Sequence, residues 1–314
     1  MKRIHTLSSL IFLFSFCILI SCNQESSDSL FKSYPQLVKL EETYNTNQDV
    51  PAANDLLRGL LTTISSPQME SDKMVDFLEY GYSISSKHAM TSRSASFLVA
   101  LIREDYKNEN TAQRLFDLSA IMSKLKKENV ALILSHGLNS QFKDFEKNSE
   151  LTLDLPEGIN NVDELIADLG TKIFEDPDNS GINRASSLKY VDACEAYALV
   201  FPNNPNSPAN LFKAAEVAKS LRTFPKSLTL YDWIIEDYPD YEKTATSLFL
   251  KGFIIENNLG DDEKARQVYN EFVKRFPSHE LVDDVQFLLE NLGKTDEEIL
   301  EMIEQKRQDR ETES

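Results

Sequence analysis

Residues that favour β-structure, disulfide bonds or a membrane span are scarce in this sequence. Only 9 of the 314 residues are glycine, and LTLDLP (151–156) is the one convincing segment with the alternating pattern of a strand. The apolar run of residues 10–20 is about half as long as the ~20 residues that a membrane-spanning helix needs. Two of the 3 cysteines lie within the first 22 residues. Cys194 is alone in the remainder, which therefore cannot form an intrachain disulfide. We expect Cys194 to be a core residue.

The familiar catalytic and metal-binding motifs are also missing. No G-x-S-x-G, P-loop or H-E-x-x-H pattern occurs, and His88, His136 and His279 have no partner at metal-ligand spacing. The segment DPDNSG (176–181) resembles the start of a calcium-binding loop. However, the twelfth position of that loop is Ser187, where a bidentate glutamate is needed. The sequence therefore predicts no enzyme, no metal site and no cofactor.

Acidic residues outnumber basic ones along the chain. The 51 Asp and Glu residues against 33 Lys and Arg residues give a formal charge of −18. So acidic a surface repels nucleic acid and anionic lipid, which excludes both as direct partners of the folded body. Aromatic residues make up 10% of the chain, which argues against disorder.

The N-terminus has the charge and hydrophobicity of an export signal. Lys2 and Arg3 precede the apolar run, which ends in LISC (19–22). This order resembles the lipobox of bacterial lipoproteins, in which an aliphatic residue and a small residue precede the cysteine that becomes the new N-terminus. The resemblance implies cleavage before Cys22 and the attachment of fatty acyl chains, such as palmitate, to that residue. An ordinary secretory signal that happens to contain Cys22 is the alternative.

The segment after Cys22 predicts where the anchored protein resides. Residues 23–29 are polar and acidic, as expected of a short tether between an anchor and a folded body. In the bacterial lipoproteins that this end resembles, an aspartate next to the cysteine retains the protein at the inner membrane. Asn23 occupies that position here, so the resemblance implies the periplasmic face of the outer membrane. The acidic tether also resembles surface-export signals, which leaves the cell surface as an alternative.

From about residue 30 to residue 307, helical patterns follow one another at short intervals and predict an all-α fold. Ser207 and Ser278 occupy positions where serine caps a helix N-terminus, and Thr295 with Glu298 fits a capping box. Two glycines lie just after a helical pattern, where glycine ends helices in the left-handed conformation. They are Gly260 and Gly293.

Three helical patterns end in the same way, and their spacing reveals a repeat. Pro202, Pro239 and Pro277 each follow an aromatic residue, at spacings of 37 and 38 residues. Apolar residues lie one, four, five and eight positions before each proline, which places them on one face of a helix. A period in this range is typical of solenoids. This apolar stripe consists of Cys194, Tyr197, Ala198 and Phe201, then Tyr231, Ile234, Ile235 and Tyr238, then Tyr269, Phe272, Val273 and Phe276.

The best-preserved unit, residues 246–277, resembles the tetratricopeptide repeat (TPR), a pair of antiparallel helices with a proline after the second. Gly252 and Ala265 match the small residues at which the two helices pack closely. Tyr269 and Pro277 match the later aromatic residue and the final proline. The preceding unit has the corresponding residues Ala215, Ser227, Tyr231 and Pro239, and Gly170 marks the same point of an earlier unit. The resemblance implies an α-α superhelix, that is, a TPR-like solenoid of helical hairpins.

The predicted organisation has five parts. They are a signal peptide that includes lipidated Cys22 (1–22), a tether (23–29), a divergent helical region whose TPR character stays open (30–150), TPR-like repeats (160–307) and a polar tail (308–314). Lipidated, all-helical TPR chains resemble two groups in the bacterial envelope. One is the BamD-type lipoprotein of the outer-membrane β-barrel assembly machinery, and the other is the periplasmic TPR protein of the Tol–Pal system. Both resemblances imply a scaffold for protein partners.

In TPR proteins the first helix of each pair lines the surface that binds partners. Carried over to this sequence, that pattern predicts a groove for a protein or peptide, with exposed phenylalanines as anchors. The candidate groove residues are Phe212, Glu216 and Lys219 on one helix and Phe249, Phe253 and Glu256 on another. A glycan- or nutrient-capture lipoprotein with a helical scaffold is the alternative function. The single tryptophan supplies few aromatic platforms for sugars.

Overall fold

The computed structural model describes residues 30–66, 69–151, 153–175 and 181–295, together with residues 297, 298, 300–302, 304, 305 and 308. Within these ranges all regular elements are helices, which confirms the predicted all-α fold. None of the described helices is both long and apolar enough to cross a membrane. Cys22, the tether and residues 176–180 lie outside the described residues, so the lipid anchor and the absence of a calcium site in DPDNSG stay predictions.

The described helices follow one another with short connections. They are α1 (Pro35–Asn47), α2 (Val50–Ile64), α3 (Met74–Lys87), α4 (Thr91–Glu104), α5 (Thr111–Lys124), α6 (Glu128–Gln141), α7 (Val162–Thr171), α8 (Arg184–Val200), α9 (Asn206–Ser220), α10 (Phe224–Asp237), α11 (Thr244–Leu259), α12 (Asp262–Arg275) and α13 (Val282–Asn291). Short 3₁₀ helices cover Ser71–Lys73 and Asn148–Leu151. The described residues between 297 and 308 are helical as well.

The chain divides into two compact units, Met1–Ile84 and Ser85–Ser314. In the first unit, α1 and α2 form a hairpin around a left-handed turn at Gln48, where φ is 50°. The side chain of Asp49 then caps α2 by accepting a hydrogen bond from the backbone N–H of Ala52 at 2.8 Å. Phe31 is fully buried and packs edge-on against Phe77, with ring centroids 5.0 Å apart.

The second unit is a succession of helical hairpins, and it includes the region of residues 150–160 where the sequence suggests a boundary. Helices α5–α6, α7–α8, α9–α10 and α11–α12 pack as pairs. We call α5, α7, α9 and α11 the first helices, and α4, α6, α8, α10 and α12 the second helices. The turns inside three hairpins contain one residue with φ between 57° and 65°. They are Lys126, Arg222 and Gly260, so glycine marks only one of the three.

Close packing inside the hairpins confirms the small residues predicted for the repeat. A Cβ atom on Gly252 would lie 2.5 Å from Cε1 of Tyr269, so the ring occupies the space that glycine leaves. The Ser227 hydroxyl donates to the Ala215 carbonyl at 2.9 Å. The hydroxyl of Ser119 donates to the Ala131 carbonyl at the same distance. The α5–α6 hairpin therefore repeats the α9–α10 contact with the serine and alanine exchanged.

The helix ends show that the repeat extends beyond the region where prolines mark it. Five residues that end second helices share φ between −119° and −136° and ψ between 55° and 61°, and each donates its N–H to the carbonyl four residues earlier. They are Asp105, Phe142, Phe201, Tyr238 and Phe276. The first two are 37 residues apart, as are the next two. Tyr106 and Lys143 stand where the later copies have proline. The divergent region therefore contains one hairpin of the same kind, α5–α6, and α4 before it ends in the same conformation.

Two of the predicted helix caps are wrong and the others are confirmed. Ser207 lies inside α9, where its buried hydroxyl donates to the Phe201 carbonyl at 2.6 Å. Ser278 does not cap the next helix, because α13 begins only at Val282. Thr295 and Glu298 form the expected reciprocal capping box, with backbone-to-side-chain distances of 2.9 and 3.3 Å. The predicted C-terminal glycines both have positive φ, 65° at Gly260 and 84° at Gly293.

The predicted strand at LTLDLP (151–156) is wrong for the part of it that the structure describes. Leu151 ends a 3₁₀ helix, and residues 153–156 have no regular structure. This segment lies along α6, where the Leu151 carbonyl accepts a hydrogen bond from the Ser135 hydroxyl and the Leu153 carbonyl lies 2.7 Å from Nε2 of His136. Side chains of a helix therefore provide the hydrogen bonds that a neighbouring strand would have supplied.

Most of the apolar stripe lies in the core, as its periodicity predicts, whereas Phe201, Tyr238, Val273 and Phe276 are half-buried. Tyr231, Tyr269, Ile234 and Phe272 have no exposed surface. Cys194 is also fully buried, which confirms the prediction that it is a core residue. Burial raises the pKa of its thiol to about 12, so the unreactive thiol form predominates at neutral pH.

Candidate functional site

The structure brings three of the six predicted groove residues together on the first-helix surface, which we define as the exposed side of α7, α9 and α11. The half-buried rings of Phe249 and Phe253 lie 6.1 Å apart between centroids on α11. The ammonium group of Lys219 on α9 lies 5.6 Å from the centre of the Phe253 ring. These residues form a small apolar patch with a cation beside it.

Phe212 and Glu256 make contacts within the hairpins instead. Phe212 is only 5% exposed and packs edge-on against Tyr231 at 5.9 Å, so the expectation of an exposed anchor at this position is wrong. The position lies on the apolar side of α9, which faces the second helix of its own pair. Glu256 accepts a hydrogen bond of 2.6 Å from the Tyr269 hydroxyl. It therefore orients a core tyrosine.

A cavity of about 660 Å³ extends the first-helix surface between α7 and α9. Glu216, the sixth predicted residue, lines it and is exposed. Phe174 at its edge is 74% exposed. Asp163, also in the lining, accepts hydrogen bonds from the Tyr197 hydroxyl at 2.7 Å and the Asn206 amide at 3.1 Å. The cavity thus combines apolar walls with fixed polar groups, as ligand sites do.

A second cavity, of about 500 Å³, lies on the opposite helices of the same hairpins, and we call it the second-helix cavity. Residues of α4, α6, α8 and α10 surround it, with a contribution from the end of α5. Most of its wall is aliphatic. These aliphatic residues are Ala95, Val99, Leu118, Met122, Leu125, Val130, Leu134, Ala196 and Leu199. The predicted groove did not include this face, because TPR analogy assigns binding to the first helices.

Two ion pairs at the second-helix cavity connect α8 to the loop before α6 and to α10. The ammonium group of Lys127 lies 2.8 Å from Oδ2 of Asp192, and that of Lys226 lies 2.8 and 3.0 Å from the two carboxylate oxygens of Glu195. About a fifth of the Glu195 side chain is exposed. Burial raises the pKa of this carboxyl group above its usual range, and the nearby Lys226 ammonium only partly offsets that effect.

Arg103 connects α4 to α10 through contacts that we call the clasp. Its Nε lies 2.7 Å from Oδ2 of Asp237, and its Nη2 lies 2.6 Å from Oε2 of Glu236. Its guanidinium carbon lies 5.1 Å from the centre of the Trp233 ring. Trp233 is 4% exposed and lines the cavity, so the clasp fixes one wall of it. The partners are 133 and 134 residues apart, and no local sequence signal connects residues at such separation.

The described residues offer little for metal binding or catalysis. They contain no group of three or more His, Cys, Asp or Glu side chains that could hold a metal ion. The ring of His279 packs edge-on against Phe272 at 5.6 Å, and its Nδ1 accepts a hydrogen bond from the backbone N–H of Leu281. His279 precedes α13, whereas the sequence places it in the first turn of that helix.

Comparison with known families identifies the repeat. Residues 246–279 match a family model described as a tetratricopeptide repeat. The chain contains a TPR. The match covers α11 and α12, the unit in which Gly252 packs against Tyr269, and the preceding α9–α10 hairpin has the same turn and helix-end geometry. No curated protein matches the chain. Proteins with TPRs generally act as scaffolds for other proteins, which agrees with the absence of a recognisable catalytic motif.

Proposed function

We propose that this protein is a lipid-anchored TPR scaffold of the bacterial outer membrane that holds a protein partner on its first-helix surface. The observation that carries this proposal is the arrangement of α7, α9 and α11. Their exposed side combines the rings of Phe249 and Phe253 with the 660 Å³ cavity edged by Phe174. Aromatic anchors beside a recess with a polar rim are what a bound peptide segment requires.

The charge of the chain indicates which partners would reach this surface fastest. A formal charge of −18 accelerates the association of positively charged proteins and slows that of acidic ones. A lipid on Cys22 would in addition confine the scaffold to the membrane, which raises its effective concentration for partners held there. We place the protein on the periplasmic face, as an adaptor in outer-membrane assembly or maintenance.

The partner surface can be tested by affinity purification of the native lipoprotein from detergent-solubilised membranes. We expect the double variant Phe249→Ala/Phe253→Ala to lose a protein that co-purifies with the wild type. Phe287→Ala is the matched control, because Phe287 is a 47% exposed phenylalanine on α13, outside the surface. Equal recovery of the same proteins with the double variant and the wild type would contradict the proposed surface.

The anchor is tested separately by fractionation of cells that express Cys22→Ala. We expect the wild type in the outer-membrane fraction and the variant in the soluble periplasmic fraction or retained as an uncleaved precursor. Metabolic labelling with an alkyne-tagged fatty acid distinguishes these results, because only the wild type should incorporate label. Label on the Cys22→Ala protein would show that the lipid is attached elsewhere.

A further inference from the structure

The second-helix cavity has walls suited to a hydrocarbon chain. Nine aliphatic side chains and the Trp233 ring surround a volume of about 500 Å³, within the ~300–1,000 Å³ typical of small-molecule sites. The polar side chains that line it are Ser92, Ser96, Lys127, Asp192, Glu195, Lys226 and Thr229. The four charged ones are already in ion pairs, so an aliphatic chain would fill the remaining space without leaving a charge unpaired.

The charges at this cavity favour an anionic headgroup on that chain. The side chains of Lys127 and Lys226 are 43% and 42% exposed, whereas those of Asp192 and Glu195 are 29% and 21% exposed. A ligand that approaches from solvent therefore meets the lysines more readily than the carboxylates. An ammonium group has three N–H donors. Each lysine can thus keep its carboxylate partner and also donate to a ligand.

The loop between α5 and α6 adds to this local positive charge. The sequence KLKK (124–127), which begins with the last residue of α5, has three lysines in four residues, although the chain as a whole is acidic. Leu125 and Lys127 line the cavity, Lys126 is exposed on the loop, and Lys124 is exposed at the end of α5. These lysines attract an anionic group that lies close to them, because dissolved salt screens charges mainly over longer distances.

We infer that the second-helix cavity binds a long-chain fatty acid, with the hydrocarbon chain between α4, α6, α8 and α10 and the carboxylate at Lys127 and Lys226. Each additional methylene that enters the cavity should tighten binding about fourfold until the cavity is full. The clasp supports the site by holding Trp233 in the wall. This site is separate from the first-helix surface, so it does not depend on the proposed partner.

Trp233 provides a direct assay because it is the single tryptophan of the chain and lines the cavity. Purified mature protein is titrated with 12-bromododecanoate below its micelle concentration, since bromine quenches indole fluorescence only at short range. We expect saturable quenching with one ligand per chain, reversed by unbrominated dodecanoate. Dodecanol should compete about tenfold more weakly and dodecylamine more weakly still. An absence of quenching, or a preference for the amine, would overturn the inference.

Variants show whether the quencher enters the cavity and whether the lysines hold its headgroup. Ala196→Phe fills the space and should reduce affinity at least tenfold. Ser96→Phe should also fill the space and reduce affinity. It should disturb the core less, because Ser96 is an exposed residue of the cavity lining. The double variant Lys127→Gln/Lys226→Gln should weaken dodecanoate binding about tenfold and leave dodecanol binding unchanged. Lys189→Gln is the control, since Lys189 is exposed on α8 and does not line the cavity.

The inference fails if the cavity-filling variants, shown to be folded by circular dichroism, bind bromododecanoate as the wild type does. It also fails if Lys189→Gln and the double lysine variant lose affinity equally, because binding would then reflect general charge. Phe249→Ala/Phe253→Ala should leave bromododecanoate binding unchanged. Loss of the protein partner in that variant with retention of the fatty acid would show that the two sites are independent.

Discussion

The two faces of the second unit share the α7–α8 and α9–α10 hairpins but offer different chemistry. The first-helix surface displays apolar groups that solvent reaches, such as the 74% exposed ring of Phe174. The second-helix cavity is surrounded by several helices, has its charges in pairs and contains a tryptophan that is 4% exposed. Stacked hairpins can therefore present an open apolar surface on one side and a more enclosed cavity on the other.

The two faces also differ in the range of the contacts that hold them. The Gly252–Tyr269 and Tyr269–Glu256 contacts behind the first-helix surface lie within one hairpin. Around the second-helix cavity, α6 packs on α8 through Gly137, and the clasp of Arg103 joins α4 to α10. A substitution that removes a local contact should disturb the structure of one hairpin only. A substitution that removes a long-range contact should change the cavity. Four predictions test this difference, in order of expected effect.

The largest effect is expected for Gly137→Ala. A Cβ atom there would lie 1.8 Å from Cγ1 of Val200, which forces α6 and α8 apart. We expect a loss of about 3 kcal/mol in the free energy of unfolding, measured with denaturant, even though alanine favours helix more than glycine does. The emission of Trp233 should shift at the same time.

A second substitution shows whether crowding is the cause. Val200→Ala removes the clashing methyl groups, so Gly137→Ala/Val200→Ala should be more stable than Gly137→Ala alone. Gly252→Ala is the matched change behind the first-helix surface, and it should destabilise the protein without altering Trp233 emission. If the double variant were no more stable than the single one, the packing explanation would be wrong.

Removal of the clasp should have the next largest effect. Arg103→Met keeps much of the side-chain volume but removes two ion pairs and the contact with the Trp233 ring. We expect a loss of about 2 kcal/mol in unfolding free energy and a red shift of Trp233 emission as water reaches the ring.

Arg275→Met provides the control for this change. Arg275 also lies near an aromatic ring, but its ion pair with Glu271 joins residues four apart on one helix, and its hydrogen bond to the Ile235 carbonyl on α10 is long, at 3.4 Å. Such a pair contributes about 0.5 kcal/mol or less. Equal losses for the two arginine variants would contradict the distinction between long-range and local contacts.

A smaller effect is expected where a buried hydroxyl connects successive hairpins. The Ser207 side chain donates to the carbonyl of Phe201, six residues earlier, and Ser207→Ala leaves that carbonyl without this bond. We expect a loss of about 1 kcal/mol in unfolding free energy. Ser220→Ala removes an exposed hydroxyl bond on the same helix and should cost less than about 0.5 kcal/mol. Equal losses of unfolding free energy in the two serine variants would indicate that burial of the hydroxyl group is unimportant.

The smallest effect concerns the pH dependence contributed by Glu195. Its folded pKa is raised by burial, so the folded protein holds this proton more tightly than the unfolded chain does. Its ionisation therefore lowers stability as the pH rises from about 4.5 through the raised folded value. The variant Glu195→Gln has no carboxyl group at this position, so it does not lose stability by this ionisation. Its stability relative to the wild type should increase as the pH is raised above about 4.5 in denaturant unfolding. A relative stability that falls over this range would show that Lys226 outweighs the burial.

The sequence predicts the fold well where prolines and small residues mark it. The stripe before Pro202, Pro239 and Pro277 identifies core positions, and the Gly252–Tyr269 contact confirms the packing expected of a TPR. The sequence does not mark the upstream second helices α4 and α6, because they end before Tyr106 and Lys143 instead of before proline. Their ends nevertheless have the same conformation, which shows that the hairpin geometry and not the proline ends these helices.

A weaker signal for the repeat exists in the sequence. A donor side chain follows four of the five helix-end residues by six positions and bonds to their carbonyls at 2.6 to 3.3 Å. These donors are Thr111, Asn148, Ser207 and Thr244. Single polar residues at this spacing are too common to identify a repeat without the structure. The second-helix cavity is less predictable still, because it depends on residues of four helices that are far apart along the chain.

The most direct test of the scaffold function is photocrosslinking in living cells from the two faces of the second unit. A benzoylphenylalanine replaces Phe253 on the first-helix surface in one strain and Thr229, at the second-helix cavity, in another. We expect a discrete protein adduct from position 253 and none of the same mass from position 229. The same adduct from both positions, or from position 229 alone, would contradict the claim that the first helices hold the partner.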